Sequence, residues 1–113
     1  MKFLCLAYGD EKDWNALSRQ EQNQLLAPDE IIRKRGALMA AVDPKATTVR
    51  AWDSKPDISN GSFGGSKVPL AGFSIIEARD LDEVIQLVSK TPCARAKGAI
   101  EVRQITQINN PSS

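Results

Sequence analysis

Ser59-Asn60-Gly61-Ser62-Phe63-Gly64-Gly65-Ser66-Lys67 leads almost directly into Leu70-Ala71-Gly72-Phe73-Ser74-Ile75-Ile76-Glu77. A glycine-rich loop followed by a lysine invites comparison with a phosphate-binding loop. Here, however, the apolar run after it reads as a strand rather than a helix, and the Gly-Lys-Ser/Thr ending is missing. That one substitution of element type turns the reading away from a nucleotide-binding α/β sheet. Residues 70–78 form the strongest predicted strand of the chain, and the rest of the fold is assembled around it.

The opening residues Lys2-Phe3-Leu4-Cys5-Leu6-Ala7-Tyr8 are a second strand, apolar at both parities. Phe3, Cys5 and Ala7 fall on one face, and Leu4, Leu6 and Tyr8 on the other. Such a strand must be covered twice. One layer of helices covers one face, so a second subunit is expected on the other.

Ser18 and Glu21 have capping-box spacing, which predicts a helix start. Leu25, Leu26, Ile31 and Ile32 supply its apolar stripe and Gly36 its stop. Pro28 lacks an N–H and clashes with the preceding turn. Two short helices are therefore expected to meet there, the second opening at Pro28-Asp29-Glu30. Strands follow at residues 37–42 and 47–52, the latter rich in β-branched and aromatic side chains. Asp80 and Glu83 cap another helix, carried by Leu81, Val84, Ile85 and Val88 and ended by Thr91-Pro92. Residues 99–105 are the last strand. Helices segregated from a mainly antiparallel sheet make an α+β fold with a ferredoxin-like core. Residues 1–108 read as a single domain and 109–113 as a disordered tail.

Composition narrows function mainly by exclusion. At 113 residues the chain is one domain, with 42% hydrophobic and 26% charged residues, as in an ordinary soluble globule. Fifteen basic and fourteen acidic residues leave a net charge of +1, so no electrostatic footprint for nucleic acid exists. No apolar run approaches the ~20 residues of a membrane span. The N-terminal apolar stretch is too short for a signal peptide and is cut off by charge, so a reduced cytoplasmic location is expected. There is no histidine, which removes His-based acid–base chemistry, Ser-His and Cys-His pairs and the commonest transition-metal ligand. Cys5 and Cys93 have no metal or redox spacing. No metal and no cofactor are expected.

Several blocks together resemble the YCII-related family of the DGPF type. Residues 2–11 are similar to its opening strand and acidic turn, and Ala46-Thr47-Thr48-Val49-Arg50 to its third strand. Ala71-Gly72-Phe73 resembles its Gly-Gly-Phe strand, and residues 77–83 its acidic helix start. Pro92-Cys93-Ala94-Arg95 and Ile100-Glu101-Val102-Arg103 resemble its closing motifs. The resemblance implies a ferredoxin-like subunit that pairs into a dimeric α/β barrel. It also implies relatives among enzymes of small cyclic compounds, one branch a dehydrochlorinase, others with a His–Asp pair. This chain departs at the motif itself, with Asn60 for the aspartate, Ser62 for the proline and Val68 for a glutamate.

Six residues are candidates for ligand binding. Asn60 and Lys67 belong to the glycine loop, whose successive N–H groups can form an anion nest, unless its glycines only serve a tight turn. Tyr8 and Asp10 end the first strand, where Asp10 is either a base or a turn former. Arg50 shares a strand face with Trp52 and suits a cavity wall or an interface. Arg95 suits a carboxylate clamp or the carbonyls of the preceding helix. Cys93 would be reactive only beside a cation such as Arg95. Two functions follow. One is a homodimer that binds a small polar or anionic ligand without established catalysis. The alternative is a metal-free enzyme for proton transfer or elimination on a small cyclic compound.

Overall fold

The computed structural model describes residues 1–109, so residues 110–113 of the tail expected at 109–113 lie outside the described residues. The chain runs β1 (Lys2–Tyr8), α1 (Glu11–Asn15), α2 (Arg19–Lys34), β2 (Leu38–Ala41), β3 (Thr47–Arg50), β4 (Asp57–Asn60), β5 (Leu70–Glu77), α3 (Leu81–Val88), α4 (Pro92–Arg95) and β6 (Ala99–Gln104). Four strands form an antiparallel sheet in the order β2-β5-β1-β6, while β3 and β4 pair only with each other. Leaving out that hairpin, β1-α2-β2-β5-α3-β6 is the split β-α-β-β-α-β arrangement of ferredoxin-like domains. The sheet is open at β2 and β6 and closes no barrel.

The two faces of the sheet differ as the parity of β1 requires. Phe3 and Cys5 of β1 and Ile76 of β5 are buried with Ile32 of α2 and Val84 and Val88 of α3. Each such burial contributes about 1.5–3 kcal/mol. Met39, Ile100 and Val102 line the margin of this cluster. The opposite face shows two cross-strand rows, Leu38–Ile75–Leu4–Arg103 and Ala40–Phe73–Leu6–Glu101. None of these residues joins the buried cluster, and Leu38 is 58% exposed.

Local signals explain most element ends. Ser18 and Glu21 complete the capping box of α2, with reciprocal bonds of 3.1 and 2.9 Å. Asp80 caps α3 by accepting the Glu83 N–H at 2.9 Å. Gly36, at φ +90°, ends α2 in a conformation that suits glycine.

Five expectations change. Helix α2 passes through Pro28 unbroken, because one missing N–H is outweighed by the rest of the helix and by the burial of Ile32 in the core. Asp10 starts an extra short helix, α1, by accepting the Lys12 N–H at 3.1 Å. Pro92 is the first residue of α4, where its missing N–H costs nothing, rather than only the end of α3. The third strand stops at Arg50, leaving Trp52 outside it and 86% exposed. A further strand, β4, pairs with β3 although Asp57-Ile58-Ser59-Asn60 has little β propensity.

That hairpin stands away from the main sheet. The radius of gyration is 16.1 Å, against about 13 Å for a compact chain of this length. Its cross-strand pair Val49–Ile58 is largely exposed.

Candidate functional site

A cleft of about 280 Å³ opens between the helices and the covered face of the sheet. Its floor comes from Cys5 and Ala7 of β1, Gly72 and Ser74 of β5, and Ile100 of β6. Its walls come from Asp29 and Ile32 of α2, and from Thr91, Pro92 and Cys93 at the start of α4. Small residues keep the floor low. A β-carbon at Gly72 would run into the Ala40 carbonyl of the neighbouring strand. Most of the lining is apolar, which leaves a few polar groups to set its chemistry.

Asp29 is the principal polar group. It is half-buried, and burial pushes its carboxyl above the usual aspartate range, opposed by the charge of Arg33 one helical turn later. That arginine is paired with Glu30 and lies largely in solvent. Cys93 is also pushed up, first by burial and then by the negative charge of Asp29. Cys5 is raised by burial, against a hydrogen bond from Ser74. Both thiols are therefore uncharged at neutral pH and are poor nucleophiles. The Thr91 hydroxyl, buried at 4% exposure, is committed to the Val88 carbonyl at 2.6 Å.

Cys93 joins this cleft to a second hollow, formed with Gly9, Asp10, Trp14, Leu26 and Pro44. The contact is close. A β-carbon at Gly9 would sit 3.0 Å from the Cys93 sulfur. Asp10 reaches this second hollow while its carboxylate caps α1.

The six residues singled out from the sequence are not brought together. Tyr8 and Asn60 border a third, wide concavity between the hairpin and β6, together with Glu101 and Arg103. Arg50 pairs with Asp57 at 3.1 Å and lies 5.4 Å over the Trp52 ring. Arg95 donates to the Ser89 carbonyl at 2.9 Å, behind α3. Lys67 is exposed in its loop and borders none of the three hollows. Within the loop, Gly61 and Gly65 have positive φ, and the Gly61 N–H donates to Ala46.

Asp29 was legible only as a helix-starting acid. A second signal was available, since Asp29 falls between Leu25 and Ile32 at helical spacing, an acid inside an apolar stripe. Among the described residues, no group of three acidic or cysteine side chains is arranged to hold a metal, and no helix is long and apolar enough to cross a membrane.

A family model described as the YCII-related domain matches residues 1–109. The solved structure of 5-chloro-2-hydroxyhydroquinone dehydrochlorinase from Burkholderia phenoliruptrix AC1100, in complex with 2,5-dihydroxybenzoquinone, is similar at 20% identity. The match covers 94% of each chain with a TM-score of 0.48. Among curated proteins none matches the chain significantly.

Proposed function

The chain belongs to the YCII-related domain family, and on that premise we propose that it acts as a homodimer whose subunits each hold a small polar compound in the cleft over Asp29 and Cys93. The observation that carries this reading is a half-buried carboxylate in an otherwise largely apolar cavity of about 280 Å³. An apolar pocket with few convergent polar groups is the ordinary form of a small-molecule site.

Within the family, the chain is of the DGPF type, with the motif altered to Asn60-Gly61-Ser62-Phe63. Two subunits pair through the open sheet faces, where Leu4, Leu6, Phe73 and Ile75 lie side by side, and so build a dimeric α/β barrel. A sheet face this apolar is more stable against another apolar face than against water. Both cysteines are free, which suits the reducing cytoplasm.

Asp29 also supports a second reading, as the acid or base of a metal-free proton transfer or elimination on a small ring compound. A carboxyl raised by burial holds its proton more readily than an ordinary aspartate, which suits acid or base work.

Titrating a library of small ring compounds into isotopically labelled protein tests the site. Amide shifts should cluster at Asp29, Ile32, Cys93 and Ile100. Shifts confined to the hairpin or to residues 60–67 would refute the cleft as the binding site. Turnover of a bound compound, lost in Asp29→Asn, would favour the enzymatic reading over simple binding.

A further inference from the structure

Two charged side chains line the cleft, Asp29 and Arg33, and of these only Arg33 has an ion-pair partner within the chain, Glu30. Among the described residues, no hydrogen bond or ion pair is formed by the Asp29 carboxylate. The one cation beside it on α2, Arg33, is held by Glu30 at the surface. Facing groups on the other elements offer nothing in exchange. The Cys93 thiol of α4 and the Cys5 thiol of β1 are uncharged. The Thr91 hydroxyl is used by the Val88 carbonyl. Apart from Arg33, the cleft around Asp29 is lined mainly by apolar residues such as Ile32, Met39, Val88, Pro92 and Ile100.

Taking the cleft as the ligand site, on which this inference rests, we propose that its ligand is a small primary or secondary amine with an apolar body. The ammonium group donates to Asp29, and the body lies against Ile32, Met39 and Pro92. Three physical points lead there. A carboxylate partly removed from water gains most from a cation that both neutralises it and donates hydrogen bonds. An anionic ligand would place like charge beside it in a setting where water screens poorly. The cavity volume, about 280 Å³, sits at the lower end of the usual range for ligand pockets, which suits a body of about one ring. The anionic ligand expected from the glycine loop does not fit this cleft.

Three probes with one shared body decide the matter: benzylamine, benzyl alcohol and benzoate, titrated into the full chain by calorimetry and by amide shift mapping. Benzylamine is expected to bind about tenfold or more tighter than benzyl alcohol, the equivalent of one charge-assisted hydrogen bond. Benzoate should bind more weakly than either. In Asp29→Asn the preference for benzylamine should vanish while benzyl alcohol binds as before. The ranking in the unaltered chain needs no variant, so a misfolded Asp29→Asn would not spare the idea. If all three probes shift Ile32, Cys93 and Ile100 with equal affinity, or benzoate binds best there, the amine is refuted and the cleft stands. If no probe shifts those residues, the cleft itself is refuted, and the amine with it.

Discussion

Leu6 of β1 and Phe73 of β5 stand directly opposite each other on the face of the sheet that contributes nothing to the buried cluster. Ala40 and Glu101 extend their row to both edges. An apolar centre with charge at one rim is the layout of a protein–protein contact. In solution the chain should therefore show about twice its 12.3 kDa mass by light scattering at micromolar concentration. Leu6→Glu or Phe73→Glu should return it to a monomer, because a buried unpaired charge is costly. A monomeric unaltered chain would refute the homodimer.

Burial raises the Asp29 carboxyl, against the opposing charge of Arg33. A carboxyl raised on folding binds its proton more tightly in the native state. Its stabilising contribution is complete below the ordinary aspartate range and is lost as pH rises through the native value. Asp29→Asn, which resembles the protonated form, should thus melt higher than the parent at neutral pH. The gap should close as pH falls below about 4, the unfolded aspartate value. Thermal melts across that range measure it, and an equal gap at every pH would contradict it.

Glu83 has the opposite sign. The Arg79 backbone N–H at 3.0 Å is the main cause that holds its carboxyl below the usual range, aided by the charges of Arg79 and Arg35. Arg35 also donates to the Glu77 carbonyl at 3.1 Å, so this cluster ties the end of α2 to β5 and α3. The stability it confers is present above the ordinary glutamate range and lost as pH falls through the native value. Glu83→Gln should lower the melting temperature at pH 7, with the deficit shrinking in acid.

A β-carbon on Gly72 would lie 2.5 Å from the Ala40 carbonyl oxygen, within the paired β5–β2 ladder. Backbone cannot yield there as a side chain would, so Gly72→Ala should cost about 1–3 kcal/mol. Gly64 meets nothing within 4 Å and has no positive φ. Gly64→Ala should leave stability nearly unchanged. Urea denaturation of the two variants provides the comparison, and equal losses would contradict the steric account.

Features encoded within a few residues were legible in the sequence. The Ser18–Glu21 capping box, the Asp80 cap and the alternation of Phe3, Cys5 and Ala7 against Leu4, Leu6 and Tyr8 depend on local spacing alone. From them came the α+β class and a sheet with two apolar faces. Strand β4 was hidden because only Ile58 among its four residues favours a strand, and pairing with β3 supplies the rest. Pro28 misled because its local cost is plain, whereas the gain from burying Ile32 appears only when the sheet is present.

The site was decided almost wholly by tertiary structure. Cys93 was visible as a cysteine and Asp29 as an acid, but they lie far apart in sequence and meet only where α2 and α4 close over β1 and β5. The sequence by itself determined where helices and strands begin and which faces are apolar, since these follow from neighbours a turn or two away. Only the folded chain determined that Arg35 reaches Glu77 and Glu83, and that Asp29 comes to line a cleft beside Cys93. Burial and charge pairing are sums over residues distant in sequence, and those sums do not exist until the layers are packed.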